Sequence, residues 1–285
     1  MFYSPLRYPG GKNKLSKFIA GLCDNNVIHG HYVEPYAGGA SVGLNLLLEN
    51  KVSRITINDI DRSIYSFWFS VLNRTNELCN LIEDTEVTIE NWINAKAVQK
   101  YKQKANLLEL GFSTFFLNRT NISGIINAGV IGGINQEGKY KIDCRFNKLS
   151  LIKRIKKIAI HKKHIKIHNM DAVNIIRSIQ NKEDNSQTIY YFDPPYYIKG
   201  QSLYVNYYTP TDHRDLAIEI KNIKYSKWIV SYDDVPQIKN YYAWVKTRIQ
   251  YSLPHSAYHA KEGKEVLFFS NNLNVNKKVN PIKII

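Results

Sequence analysis

The sequence predicts an α/β fold with a parallel sheet and helical crossovers, and three observations predict it. A short strand at 32–35 runs into a glycine-containing turn and then a leucine-rich helical stretch. A second strand at 55–59 is followed by a helix at 64–71. Apolar strands return late in the chain, at 165–168, 188–192, 227–231 and 266–269. Strands that alternate with helices are typical of parallel sheets.

A polar, mostly helical stretch separates the early strands from the late ones. It carries a loop rich in Gly and Asn at 121–138. Insertions at the loop tips of such sheets are well tolerated. We therefore predict one α/β domain formed by residues 1–72 and 166–285, interrupted by an inserted helical domain at 73–165.

The composition excludes several classes of protein and favours a nucleic-acid partner. With 285 residues, 44% of them hydrophobic, the chain can build a core and is neither disordered nor collagen-like. No apolar run reaches the length of a membrane span, and the first residues lack a signal peptide, so we expect a cytoplasmic protein. The net charge of +15 favours contact with phosphates.

The cysteines indicate reduced thiols rather than a disulfide framework or a metal site. Cys23, Cys79 and Cys144 are odd in number and far apart, with no CxxC pair. We expect all three to be buried. The eight histidines form no ligand cluster along the sequence, so we predict no metal.

The most specific local motif is Asp193-Pro194-Pro195-Tyr196, directly after an apolar strand. Ligands bind at the carboxyl ends of strands in open α/β sheets. The prolines stiffen the backbone and remove two N–H donors. The Asp193 carboxylate and the Pro194 carbonyl could accept two hydrogen bonds from an exocyclic amine while Tyr196 stacks on a base. The alternative is a strand-ending turn with a capping Asp.

Two further motifs end the first two strands. The turn from Glu34 to Ser41 contains Gly38 and Gly39, which let the backbone approach a ligand at a helix N-terminus. It is neither G-x-G-x-x-G nor a Walker A loop, and a structural tight turn is the alternative. Asp59 is placed to accept hydrogen bonds from ribose hydroxyls, although Asp59 or Asp61 could instead cap a helix.

The predicted insert carries residues that could contact the nucleic-acid partner that the net charge favours. Arg119, Asn121 and Asn127 could make bidentate contacts to guanine or adenine edges, or they could stabilise the loop by hydrogen bonds. The basic run at 153–157 is either a phosphate-binding segment or a solvated helix face. Candidates for the base pocket, with core packing as the alternative, are Tyr204, Tyr207, Tyr208 and the segment His255-Ser256-Ala257-Tyr258.

On these residues the chain resembles the Dam-like, D12 class of DNA adenine N6-methyltransferases over nearly its whole length. The motifs that match are Leu6-Arg7-Tyr8-Pro9-Gly10-Gly11-Lys12, the loop from Val33 to Val42, Asn58-Asp59-Ile60, Phe116-Leu117-Asn118-Arg119 and Asp193-Pro194-Pro195-Tyr196. The order also agrees, with cofactor motifs first, the recognition insert second and the catalytic motif third. One departure is Ala40, where the family often has its second glycine, and we expect a small local adjustment there.

The resemblance implies a fold, a reaction and a set of site residues. The fold is a Rossmann-like S-adenosylmethionine-dependent methyltransferase sheet with an inserted, mostly helical DNA-recognition domain. The reaction transfers a methyl group from S-adenosylmethionine to N6 of a flipped-out adenine in double-stranded DNA, without a metal. The setting stays open between a restriction–modification system with a separately acting restriction endonuclease, a phage system and the marking of replicated DNA. The residues implied in catalysis are Asp193, Pro194 and Tyr196; in cofactor binding, Tyr8, Lys12, Glu34, Tyr36, Gly38, Asp59, Asp171 and Asp193; and in DNA binding, Arg7, Arg119, Asn121 and Asn127.

Three alternatives stay open from the sequence. Asp171 could cap a helix instead of facing the cofactor adenine. The methylated amine could belong to cytosine N4 or to an RNA adenine. The chain could also be a DNA-binding relative without activity, although the intact catalytic motif argues against that.

Overall fold

The computed structural model describes residues 2–8, 10–180, 185–198, 208–255, 261–276 and 280–282. The chain forms two compact units. The helical unit comprises Met1–Gly11 and Asp61–Asn169, and the sheet unit comprises Lys12–Ile60 and Met170–Ile285.

These boundaries differ from the predicted domain boundaries. The prediction placed residues 1–72 with the sheet, because composition changes near residue 73. Packing places residues 1–11 and the helix that begins at Arg62 in the helical unit. The assignment of the two units to cofactor binding and target recognition stays a prediction.

The sheet unit contains six of the seven strands in the described part of the chain. The strands are β1 (His31–Glu34), β2 (Arg54–Asn58), β4 (Thr188–Phe192), β5 (Lys227–Asp233), β6 (Thr247–His255) and β7 (Lys261–Phe269), while β3 (Ile165–His168) belongs to the helical unit. Within the sheet unit the order is β2-β1-β4-β5-β7-β6. The first four are parallel, and β7 is antiparallel to both β5 and β6. The predicted α/β class is confirmed.

The strands that the sequence predicts most clearly are those buried on both faces. Every residue of β1 and β4 is buried, as expected for central parallel strands covered on both faces. Such strands appear in the sequence as continuous apolar runs. Strand β6 was not predicted, because it lies at the sheet edge, mixes charged and apolar residues and contains Pro254, which edge strands tolerate.

The helices of the sheet unit differ in how clearly the sequence marks their start. They are α1 (Ser16–Asn25), α2 (Ser41–Leu48), α8 (Ala172–Gln180), α9 (Pro210–Lys221) and α10 (Pro236–Tyr241). Thr209 and Asp212 form a capping box at the start of α9, with Pro210 in the first turn. Helix α1 runs to Asn25, and Leu22 and Cys23 belong to its buried face.

The helical unit is built from α3 (Arg62–Asn73), α4 (Thr75–Asp84), α5 (Ile89–Lys100), α6 (Leu107–Thr120) and α7 (Lys148–Ile160). Side-chain caps start four of these helices, at Asp61, Thr88, Asn106 and Asn147. Aromatic stacking joins α3 to α6, since the rings of Phe67 and Phe115 lie 5.9 Å apart and nearly parallel.

The structure tests the predicted burial of the cysteines. Cys23 and Cys79 are buried, but the prediction for Cys144 was wrong, since it lies exposed in a turn. In the described ranges no helix has both the length and the apolar character needed to cross a membrane.

Candidate active site

Acidic side chains stand at or just beyond the carboxyl ends of four neighbouring parallel strands. Glu34 ends β1 and Asp233 ends β5, while Asp59 and Asp193 directly follow β2 and β4. Because the strand order is β2-β1-β4-β5, all four acids lie along one edge of the sheet. Ligands bind at this edge in α/β sheets.

The described residues that hold Asp193 bind one of its two carboxylate oxygens. Its Oδ1 accepts a 2.6 Å hydrogen bond from the Ser231 hydroxyl and lies 3.2 Å from Nζ of Lys12. No residue in the described ranges donates a hydrogen bond to Oδ2. The side chain is 22% exposed, so Asp193 is accessible at the sheet edge, unlike the fully buried strand before it.

Lys12 lies at the centre of a buried polar cluster. Its ammonium donates to the hydroxyl of Tyr196 over 3.2 Å and to Oε1 of Glu265 over 3.3 Å. The Tyr196 hydroxyl donates in turn to Oε1 of Glu265 over 2.5 Å, and the hydroxyl of Tyr251 donates to Oε2. We call Lys12, Asp193, Tyr196, Tyr251 and Glu265 the lysine cluster.

Electrostatics keep Lys12 charged in this cluster. Burial disfavours an ammonium, but the carboxylates of Asp193 and Glu265 outweigh it and hold the pKa of Lys12 well above its ordinary value. Burial, together with the negative charge of Glu265, raises the pKa of Asp193 against the opposing effect of Lys12. A buried ammonium therefore binds one oxygen of the Asp193 carboxylate, and in the described part of the chain no donor reaches the other oxygen.

The ring of Tyr196 is less exposed than a ring that stacks on a base would need to be. The residue is only 7% exposed, and the Lys12 ammonium lies 5.1 Å from the centre of its ring. Its hydroxyl is bound within the lysine cluster. Stacking of this ring on a base stays a prediction that requires more exposure than this arrangement provides.

The glycine turn folds as a loop between β1 and α2. Backbone N–H groups bind the end of β2: Ala37 N–H donates to the Asn58 carbonyl over 2.8 Å, and Gly38 N–H donates to Oδ2 of Asp59 over 2.9 Å. Ala40, the residue that departs from the family pattern, adopts a left-handed conformation with φ of 47°. Glycine is favoured there, so Ala40 adds modest backbone strain just before α2.

Glu34 is a buried carboxylate with one oxygen that has no hydrogen-bond partner among the described residues. Burial, with a contribution from the charge of Asp193, raises the pKa of Glu34 well above its ordinary value. A buried unsatisfied acceptor is unfavourable unless a donor reaches it. A cationic donor at this sheet edge would satisfy Glu34, which makes it suited to holding an ammonium group.

The other predicted cofactor residues differ in how they are engaged. Tyr36 places its hydroxyl 2.8 Å from the hydroxyl of Tyr208. Oδ1 of Asp171 accepts the N–H of Val173 at the start of α8, so the helix-capping alternative for Asp171 is present. Tyr8 belongs to the helical unit, where its carbonyl accepts the N–H of Gly11 over 3.0 Å.

In the helical unit, two asparagines stabilise the fold: Asn118 of a motif shared with the family, and Asn121, a predicted DNA contact. Asn118 accepts the N–H of Arg7 and donates to its carbonyl, both over 2.7 Å. Asn121 is 0% exposed and donates to the carbonyls of Ile125 and Ile126. The predicted base-reading role of Asn121 is therefore wrong in this structure, because its amide is enclosed and fully engaged. Hydrogen bonding that stabilises the loop is the alternative that holds.

The remaining predicted DNA contacts differ in exposure. Arg119 is half-buried and donates to the carbonyl of Arg145 over 2.7 Å, and burial together with the charge of Arg7 lowers the pKa of Arg119 to about 10. Arg7 is also half-buried and donates to the Asn121 carbonyl over 3.4 Å. Asn127 is exposed in the loop and is the freest of the four to meet a ligand.

Sequence reasoning missed three residues of the site. Ser231 donates to Asp193, Glu265 accepts from Lys12 and from Tyr196, and Tyr251 donates to Glu265. Glu265 carried the clearest signal, because it is an acid that directly precedes four buried apolar residues of β7. Tyr204, Tyr207 and the segment at 256–258 lie outside the described residues, as does the side chain of His255.

Comparison with solved structures gives distant similarities. One is yhhF from Escherichia coli, described as a candidate methyltransferase, with 9% identity, coverage of 90% of this chain and 84% of the other, and a TM-score of 0.35. Another is HI0767 from Haemophilus influenzae, described as a candidate methylase, with 10% identity, coverage of 91% and 88%, and a TM-score of 0.32.

Sequence comparison is more informative than these structural similarities. The Type II methyltransferase M.MjaIII of Methanocaldococcus jannaschii is 24% identical over 224 residues, which cover 74% of each protein. The family of D12 class N6 adenine-specific DNA methyltransferases is matched over residues 8–258, which includes the glycine turn and the Asp193 motif. The chain therefore belongs to the D12 class N6 adenine-specific DNA methyltransferase family.

Proposed function

We propose that this protein transfers a methyl group from S-adenosylmethionine to N6 of an adenine in double-stranded DNA: the N–C bond would form as the S–C bond breaks, with a neutral thioether as leaving group and the loss of one proton from the amine. One observation carries the proposal: Oδ1 of Asp193 is bound by Lys12 and Ser231, while Oδ2 receives no hydrogen bond from the residues that the structure describes. Membership of an N6 adenine-specific family supports the same reaction.

The chemistry explains why an open carboxylate oxygen is needed. The N6 amine of adenine is a weak nucleophile because its lone pair is conjugated into the ring. Oδ2 of Asp193 and the Pro194 carbonyl would accept its two N–H groups, which localises the lone pair and orients it. Such preorganised acceptors can lower a barrier by about 3 kcal/mol each when they act on developing charge. Lys12 keeps the Asp193 carboxylate fixed during this step.

The residues present fit S-adenosylmethionine, which supplies an activated methyl group on a positively charged sulfur. Glu34 would hold its ammonium group, because Oε2 of Glu34 is buried and lacks a partner among the described residues. Asp59 would hold its ribose hydroxyls, and Gly38 would let the backbone come close. Tyr8, Lys12, Tyr36 and Asp171 remain proposed neighbours of the cofactor.

DNA binding follows from the charge of the chain and from the reaction itself. The amine is paired inside the duplex, so the base must leave the stack, at a cost on the order of a few kcal/mol. The net charge of +15 favours the phosphate backbone. Within the helical unit, Asn127 is the proposed base-reading residue. Arg7 and Arg119 are proposed to lie close to the phosphate backbone of the DNA.

The proposal extends to a biological setting. M.MjaIII is a Type II methyltransferase, and such an activity would protect DNA from a separately acting restriction endonuclease. We propose that setting for this chain.

Modified-base sequencing of DNA from cells that express the chain tests the reaction and the target together. The expected result is N6-methyladenine within one sequence context. N4-methylcytosine, or unmodified DNA, would contradict the proposal.

The role of Asp193 is tested by Asp193→Ala. We expect tritiated methyl transfer to be abolished, while retention of DNA in a gel-shift assay stays measurable. Asp24→Ala is the matched control, because Asp24 is an exposed acid of the same unit whose ion pair with Lys51 lies at the surface. Near-normal turnover of Asp193→Ala would refute the assignment.

A further inference from the structure

We propose that Glu265 is a positioning residue for methyl transfer, which fixes the Lys12 ammonium so that it occupies only one oxygen of Asp193. The inference rests on the proposed function and deepens it. Glu265 does not touch the proposed substrate; it acts through Lys12 and Tyr196.

The position of Glu265 is determined by the antiparallel part of the sheet. On β7 it pairs with Asp233 of β5 on one side and with Tyr251 of β6 on the other. It is 1% exposed. A buried carboxylate is strongly unfavourable unless hydrogen bonds and an opposite charge compensate it. Here Lys12 and two tyrosine hydroxyls supply that compensation.

The geometry accounts for all three donors of the Lys12 ammonium. One faces Asp193, one the hydroxyl of Tyr196 and one Oε1 of Glu265. An ammonium has three N–H groups, so Glu265 and Tyr196 leave a single donor for Asp193. Without Glu265, Lys12 would be free to bridge both oxygens of Asp193 and would compete with the target amine.

Charge gives Glu265 a second effect on the same step. When Lys12, Asp193 and Glu265 are all ionised, the lysine cluster carries one excess negative charge. The methyl donor is cationic, and positive charge develops on the amine as the new bond forms. An excess negative charge held in a buried, preorganised site stabilises that transition state. Neutralising Glu265 would leave Lys12 and Asp193 as a balanced pair.

Glu265→Gln tests the proposal by enzyme kinetics. We expect kcat to fall at least 10-fold with little change in the KM for DNA. Lys12 is faced by Asp193, Glu265 and the hydroxyls of Tyr196 and Tyr251, so loss of one carboxylate lowers its pKa. The alkaline limb of the kcat profile should therefore move to lower pH. A residue that only supports the fold would lower activity evenly across pH.

A measurement without substrate separates this proposal from the proposed function. In protein labelled with ¹³C at lysine Cε, NMR follows the titration of Lys12, identified by its loss in Lys12→Met. We expect Lys12 to titrate at lower pH in Glu265→Gln than in the wild type. If the wild type fails to methylate DNA, the proposed function fails, while an unchanged titration of Lys12 overturns the role of Glu265.

A pair of tyrosine variants tests the proposal even if Glu265→Gln fails to fold. Tyr251→Phe removes a donor to Glu265 and should lower kcat several-fold. Tyr242→Phe is the matched control, since the buried hydroxyl of Tyr242 has no hydrogen-bond partner among the described residues. Wild-type kcat in Tyr251→Phe, or equal losses in both variants, would overturn the proposal.

Discussion

Ser231 and Asp193 are neighbours across two parallel strands. Phe192 pairs with Val230, so Asp193, which follows Phe192, lies beside Ser231, which follows Val230. The Ser231 hydroxyl donates to Oδ1 of Asp193 over 2.6 Å. The Tyr191 hydroxyl lies 3.0 Å from the same serine oxygen. The strand register thus orients the carboxylate before any substrate arrives.

Removing this hydrogen bond should change the pH dependence of catalysis. The Ser231 hydroxyl lowers the pKa of Asp193, against burial, which raises it. In Ser231→Ala that pKa should rise, and a protonated Asp193 cannot accept the amine hydrogens. We expect the acid limb of the kcat profile to move to higher pH. At neutral pH kcat should fall by about 10- to 150-fold, the rate equivalent of the roughly 1.5–3 kcal/mol of a charged hydrogen bond.

Ser226→Ala is the control for that prediction. Ser226 is a buried serine just before β5, and its hydroxyl binds the carbonyl of Asn185, away from Asp193. This variant should keep the wild-type pH profile. An acid limb that moves equally in both variants, or in neither, would contradict the role of Ser231.

Alanine substitutions of Asn121 and Asn127 should have different effects on the free energy of unfolding. Asn121 accepts the indole N–H of Trp92 over 2.6 Å and donates to two backbone carbonyls, so Asn121→Ala should lower the free energy of unfolding by about 3 kcal/mol. The exposed Asn127→Ala should change it by less than about 0.5 kcal/mol. Chemical denaturation of both variants measures the difference, and equal destabilisation would show that the packing of the loop is misassigned.

Two helical glycines should respond oppositely to alanine. A Cβ at Gly111 would lie 2.5 Å from the Ser66 carbonyl oxygen, so Gly111→Ala should destabilise the protein by about 2 kcal/mol through overpacking of α6 on α3. A Cβ at Gly21, inside α1, meets no atom within 4 Å. Gly21→Ala should therefore stabilise by up to about 1 kcal/mol through helix propensity. Thermal unfolding of the two variants tests this, and a shift of the same sign in both would contradict it.

His213 should make the protein less stable in mild acid. Burial lowers the pKa of His213 to about 4, and its Nδ1 lies 2.8 Å from the hydroxyl of Tyr232. The unfolded chain takes up a proton near pH 6.5, whereas the folded protein resists it until much lower pH. The stabilising contribution of neutral His213 is therefore present above pH 6.5 and is lost as the pH falls towards 4.

The size of that loss can be measured. Between pH 7.5 and pH 5, His213 should account for a decrease of about 2 kcal/mol in the free energy of unfolding. Urea denaturation at both pH values, on the wild type and His213→Gln, gives the contribution as a difference. An equal pH dependence in the two proteins would refute it.

The sequence was most informative where local chemistry is strict. Central strands such as β4 appear as apolar runs because both faces are buried, and the motif from Asp193 to Tyr196 follows one directly. It was least informative at Asn121, because an asparagine in a polar loop looks the same whether it faces DNA or fastens the loop. Only the hydrogen bonds from its amide distinguish the two roles.

By itself, the sequence determined the α/β class, the order of the motifs and the acids at the strand ends, because alternating apolar runs and glycine turns are local properties of the chain. Only the tertiary structure decided that Lys12, Ser231 and Glu265 meet around Asp193 and Tyr196. These residues lie far apart along the chain, and they come together through strand order and register, which no local pattern encodes.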